Sequence, residues 1–172
     1  MKRLVSICLV VLLLGLASTA VAVDGKIGFV DLQKALNLSD SGKMAKEKMR
    51  QQVTNYETQL DEMRSDLEKS KEEMDKQALL LSEDARSAKE RDYQQKVKEF
   101  KRFANDIKEE LQIKDSEFTR KILDDLLAVV LEIGKKEGFT VIFEKNESSL
   151  IYADEKIDLT DQVIAAANAK QK

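Results

Sequence analysis

Hydrophobic positions fall in three different rhythms along this chain, and each rhythm predicts a different element. Leu4 to Leu16 is apolar apart from Ser6 and Gly15, follows Lys2 and Arg3, and leads to Ala20-Val21-Ala22. Basic start, apolar run and A-x-A site form the tripartite pattern of a cleavable secretory signal peptide, with Val23 as the expected mature start. The apolar run is shorter than the roughly 17 residues of a membrane span. Lys26-Ile27-Gly28-Phe29-Val30-Asp31 then reads as a short β-strand, and Leu32 to Leu38 as a helical turn. Ser39-Asp40-Ser41-Gly42 clusters turn and cap residues, which predicts a long helix starting after Gly42.

That helix carries a heptad seam. Val53, Tyr56, Leu60, Met63, Leu67, Met74 and Leu81 sit on alternating three- and four-residue steps, interrupted by Ser70 and Gln77. Such a narrow stripe faces one partner helix, as in a coiled coil. Past Leu81 the same register falls on polar residues, and a second one takes over through Tyr93, Val97, Phe100, Ala104, Ile107, Leu111 and Phe118, with Lys114 as its flaw. One straight helix cannot bury both seams against one partner, so the phase break predicts an antiparallel hairpin. Its tip falls near Leu80 to Ala85, where Ser82 can cap a new helix and Glu83 and Asp84 favour the positive end of its dipole. The alternative is one continuous helix with a stutter.

Ile122, Leu123, Leu126, Leu127, Val129, Val130, Leu131 and Ile133 form a wider apolar face, which requires more than one neighbour. Lys135-Lys136-Glu137-Gly138 closes the helix. Phe139 to Phe143 and Leu150-Ile151-Tyr152 read as strands around an Asn146-Glu147-Ser148 turn. A last amphipathic helix starts at Asp158-Leu159-Thr160-Asp161, with Thr160 as N-cap and Val163, Ile164 and Ala167 on one face. The expected fold is mainly α with a small β body (α+β). Residues 1–22 are the signal peptide, 23–42 and 134–172 a three-stranded oligomerisation body, and 43–133 the coiled-coil hairpin. Three short strands leave open edges and bury little apolar area, so the body calls for association of several copies.

Composition narrows the function. The expected mature chain has no Cys, since Cys8 lies in the apolar run, and the whole sequence has no His, Trp or Pro. With Cys8 away from the cleavage point, lipidation is excluded. Absence of Pro favours long unbroken helices. Without Lys2 and Arg3 there remain 27 basic and 32 acidic residues, a net of −5. From Lys43 to Lys121 the charges balance at 19 each; from Ile122 onward 10 acidic residues face 6 basic ones. A nucleic-acid binder would show a strong basic excess instead.

Catalysis has little to work with. The commonest general base and two common nucleophile arrangements are missing. The acidic pairs Glu72-Glu73, Glu109-Glu110 and Asp124-Asp125 are helix neighbours, which do not face each other. Gly25-x-x-Gly28 lacks the spacing and the Lys-Ser or Lys-Thr of a phosphate loop. No calcium-loop pattern is present. No enzyme activity, catalytic residue, metal or cofactor is therefore expected.

The stretch after the leader (Lys-Ile-Gly-Phe-Val-Asp), Leu80-Leu81-Ser82-Glu83-Asp84-Ala85-Arg86 at mid-hairpin, Gly138-Phe139-Thr140-Val141-Ile142-Phe143, and Tyr152-Ala153-Asp154 followed by Asp158-Leu159-Thr160-Asp161-Gln162-Val163 occur in the order found in one family. In these residues the chain resembles the Skp/OmpH family of periplasmic chaperones. The resemblance implies a homotrimer with a central β body, three tentacle-like hairpins, and ATP-independent holding of unfolded outer-membrane β-barrel proteins in the periplasm. In one respect the chain departs from the family. Its tip sets Lys76, Arg86, Lys89 and Arg91 against Asp75, Glu83, Asp84, Glu90 and Asp92, so lipopolysaccharide and anionic-membrane contact are not carried over.

Holding an unfolded chain needs scattered apolar side chains that form many weak contacts. Off the seams these are Met49, Leu79, Leu80, Phe103 and Ile113; the expected oligomer contacts are Ile27, Phe29, Val141, Phe143 and Ile151. The alternative for the first set is ordinary packing at the flank of the hairpin. The competing function is a structural or adaptor coiled coil that binds one folded envelope partner.

Overall fold

A computed structural model describes residues 25–77 and 80–170. The expected signal peptide, its cleavage point, Cys8 and Leu79 lie outside the described residues. In chain order the elements are β1 (Lys26–Val30), α1 (Leu32–Leu38), α2 (Asp40–Gln77), α3 (Glu83–Glu137), β2 (Phe139–Glu144), a 3-10 turn (Glu155–Ile157) and α4 (Thr160–Lys170).

The two long helices form an antiparallel hairpin. At 1.5 Å per residue, the 38 residues of α2 span about 57 Å and the 55 residues of α3 about 83 Å. Ser82 caps α3 by accepting from the Ala85 N–H at 3.3 Å, with Glu83 and Asp84 in the first turn. The helix ends at Gly138, whose φ of 72° is left-handed and whose N–H reaches the Gly134 carbonyl.

β1 and β2 pair in parallel, and a parallel pair needs a crossover connection. Here the crossover runs through α1 and the entire hairpin. Ile27 lies opposite Val141, Gly28 opposite Ile142, Phe29 opposite Phe143 and Val30 opposite Glu144. Alternation turns Val30 and Ile142 towards the core and sets Ile27, Phe29, Val141 and Phe143 on the other face.

The core gathers Val30, Ala35, Leu126, Val129, Val130, Ile133, Leu159 and Val163 from β1, α1, the last third of α3, the residue before α4 and the first turn of α4. The broad apolar face after Phe118 thus meets several neighbours, as its width requires. Three ion pairs staple the N-terminal segment to the C-terminal one: Lys26–Glu137 at 3.1 Å, Lys34–Asp161 at 3.0 Å and Lys145–Asp31 at 3.4 Å. Lys170–Glu132 ties α4 to α3.

Three expectations are corrected. Among the described residues the body has two strands, because Leu150-Ile151-Tyr152 pairs with no strand. β1 is flanked by β2 on one edge and bridged by Asp158 on the other, which leaves those residues no place beside it. The long helix starts at Asp40, not after Gly42. Gly42 sits inside its first turn because a Cβ there would come 1.7 Å from the Leu36 carbonyl oxygen, so only glycine lets α2 pass α1 this closely. Thr160 is the first helical residue of α4 and not its N-cap. Its N–H donates to Asp158 Oδ1 at 2.8 Å, so the Asp158 carboxylate does the capping. The Thr160 hydroxyl, fully buried, accepts from the Asp31 N–H at 2.9 Å and ties α4 to the end of β1.

Candidate functional site

Two surfaces stand out: the length of the hairpin and the outer face of the sheet. Along the hairpin the two seams meet as the heptads predict. Every seam position from Val53 to Gln77 and from Tyr93 to Phe118 is at least partly covered, yet no residue of α2 is buried. On α3 the buried residues run from Ile107 to Ile133, towards the body. The contact between the arms is therefore dry at the base and half-open towards the tip.

Polar residues interrupt the seams at regular places. Lys96 Nζ donates to Ser70 Oγ at 2.9 Å, and Lys89 Nζ donates to Gln77 Oε1 at 2.7 Å. Nearer the base, Tyr56 meets Phe103 edge to face with ring centroids 6.4 Å apart. One heptad beyond Phe103, Glu110 pairs with Lys114 at 2.7 Å and accepts from Gln52 at 3.5 Å. The Lys114 ammonium, helped by the Tyr56 hydroxyl, holds the Glu110 carboxyl below its usual value. The seam flaw at Lys114 is thus half of an ion pair. Ser70 and Gln77 were readable as interruptions; the lysines that answer them were not, because their heptad positions read as solvated.

The candidate contact residues separate by burial. Leu80, at the tip, is 85% exposed, and Ile113 is half-exposed in a shallow groove edged by Asp106, Glu109 and Glu117. Met49 is half-buried in a groove at the hairpin root with Leu36, Ala45, Phe118 and Ile122. Phe103 packs on Tyr56 inside the hairpin, so it belongs to the seam.

On the outer sheet face Ile27, Val141 and Phe143 are partly exposed side by side, while Phe29 is buried within the protomer. The outer edge of β2 has no partner among the described residues. Ile151 is 100% exposed and Tyr152 84%, in irregular chain that follows the turn after β2. Leu127 and Leu131, one turn apart on α3, are exposed as well. These exposed apolar side chains make the body the second candidate contact surface.

Among the described residues, no group of three or more His, Cys, Asp or Glu side chains is placed to hold a metal ion. No helix of the described residues is long and apolar enough to cross a membrane.

Comparison with known proteins places this architecture. A crystal structure of a putative outer membrane chaperone (OmpH-like) from Caulobacter crescentus CB15 shares the fold at a TM-score of 0.80, with 16% identity and 85% of each chain covered. An uncharacterized protein of Aquifex aeolicus strain VF5 is 27% identical over 135 residues, 78% of this chain and 81% of the relative. The family described as Outer membrane protein (OmpH-like) matches residues 26–166, the whole of β1 through most of α4, and the chain belongs to that family.

Proposed function

We propose that this protein is an ATP-independent holdase of the bacterial periplasm, which assembles as a homotrimer and keeps unfolded outer-membrane β-barrel proteins from aggregating. One observation carries the proposal. A hairpin of 38- and 55-residue helices, nowhere buried on α2, projects from a small body whose outer sheet face is apolar and uncovered. A rigid recognition site for one small molecule would be a deep, largely pre-formed pocket. Long arms with half-open apolar side chains fit partners that lack fixed shape.

Membership of the OmpH-like family supports the reading, as does the fold shared with the putative outer membrane chaperone (OmpH-like) from Caulobacter crescentus CB15. In the proposed trimer the open edge of β2, the face of Ile27, Val141 and Phe143, and Ile151 meet neighbouring copies. Copies arranged about a threefold axis satisfy the open edge of each protomer without leaving one unpaired. The hairpins then hang side by side and enclose a client by steric confinement and many weak contacts, with Leu80, Ile113 and Met49 among the apolar groups that meet it. No cofactor, metal or nucleotide enters the mechanism.

Client range tests this against an adaptor role. Presented with several unrelated urea-unfolded β-barrel proteins and their folded forms, the protein binds all the unfolded ones and none of the folded. Binding to one folded envelope protein, with no unfolded client retained, overturns the proposal in favour of the adaptor.

A further inference from the structure

The far half of the hairpin is held differently from its base. Ser70 and Gln77 are one heptad apart on α2, and the lysines that meet them, Lys96 and Lys89, are one heptad apart on α3. Each bridge is a single lysine hydrogen bond, at 2.9 Å and 2.7 Å, set among the seam residues Leu67, Met74, Leu81, Tyr93 and Val97, none of which is buried. Lys96 also turns to Asp92 on its own helix at 3.4 Å, so its hold on Ser70 is shared.

A hydrogen bond open to water adds little net stability, because water replaces it when the arms part. A buried apolar side chain gives far more, and the base has several: Ile107 in the seam, and Ile122, Leu126, Val129 and Val130 in the core cluster. Segments with few buried apolar contacts open first and most often.

We infer that the hairpin parts its arms between Leu67 and Val97 while the base stays closed, and that the opened seam is itself a client-binding surface. This rests on the holdase proposal and adds where on the arm the client sits. Parting exposes Leu67, Met74, Leu81, Tyr93 and Val97 in two parallel rows. It also frees Lys89 and Lys96 to donate to backbone carbonyls, which in an unfolded strand lack partners. An extended segment with alternating apolar side chains, as in an unfolded β-barrel strand, fits between such rows. The polar breaks at Ser70 and Gln77 thus keep the seam openable, where two more apolar residues would seal it.

The test combines amide hydrogen exchange with aggregation assays on the unmodified chain and on Ser70→Leu/Gln77→Leu. In the unmodified chain, amides at Leu67, Met74 and Val97 exchange about 100-fold or more faster than those at Leu126 and Val130. The double substitution slows the distal amides about tenfold and lowers the amount of unfolded β-barrel protein kept soluble severalfold. Distal amides as slow as the base overturn the inference, as does a sealed hairpin that holds clients undiminished. Should the leucine variant lose helix content, Ser70→Met/Gln77→Met fills the same two seam positions with a more adaptable apolar side chain, with the same expected and contrary results. If the unmodified chain holds no client at all, the holdase proposal fails, which is a separate result.

Discussion

Ile151→Asp separates assembly from folding better than any other substitution in the body. Ile151 is 100% exposed in the protomer, so its replacement removes no contact there and leaves protomer stability within about 0.5 kcal/mol. In a trimer that covers it, each copy gains the burial of a whole isoleucine side chain, about 1.5–3 kcal/mol. Three equivalent sites lose about 4.5–9 kcal/mol per trimer, since symmetry repeats the change. At about 1.4 kcal/mol per factor of ten, the assembly constant falls by at least about 1,000-fold, before any penalty for bringing three carboxylates together. The assay is mass by light scattering across a dilution series, with helix content by circular dichroism as the control. The expected outcome is trimer for the unmodified chain and protomer for the variant, with helix content equal in both. A variant that remains trimeric at the same concentrations as the unmodified chain refutes the placement of Ile151 in the contact. By contrast, Phe29→Asp is a poor probe: Phe29 is buried inside the protomer, and the charge would unfold the body before it dissociated anything.

Three further outcomes are expected. Gly42→Ala sets a gain of up to about 1 kcal/mol in helix propensity against a clash with backbone, 1.7 Å from the Leu36 oxygen, and overpacking at about 1–3 kcal/mol wins; the melting temperature falls, and a rise would contradict the close passage of α2 over α1. Thr160→Val keeps the volume but leaves the Asp31 N–H without its acceptor at a fully buried site, lowering stability by about 1–3 kcal/mol in urea unfolding; an unchanged midpoint would show that this bond adds nothing. For pH, the Lys34 N–H and then Lys145 hold Asp31 below 3.8, while Gln162 and Lys26 hold Glu137, and Lys170 holds Glu132, below 4.5. Depressed carboxylates contribute stability fully above their unfolded values and lose it as pH falls through the folded ones, so the melting temperature is flat from neutrality to about pH 5 and drops below that. A drop that begins between pH 7 and 6 would point to other groups.

The hairpin was legible because heptads report a local, one-partner contact. The phase break after Leu81 and the Ser82 cap together located the turn, and the wide face after Phe118 announced the body. What escaped the sequence depends on neighbours far along the chain. Nothing local says that Thr160 faces Asp31 across 129 positions, so its pattern read as an ordinary N-cap. Gly42 looked like a turn residue because the approach of α1 is invisible one-dimensionally. Leu150-Ile151-Tyr152 has strand composition, yet it pairs with no strand in the protomer, and local composition does not report whether a partner edge lies within reach. Of the contact residues, Leu80 and Ile113 are as open as their off-seam positions implied. Phe103 is not, since a large ring one step off a seam can still turn inward, here onto Tyr56.

The most direct measurement is light scattering after a urea-unfolded outer-membrane β-barrel protein is diluted into buffer, with and without this chain and with no ATP. Aggregation suppressed to completion near one trimer per client is the result expected of a holdase. Unchanged aggregation at a several-fold excess of the chain would contradict it, and would leave the family fold here serving a folded partner instead.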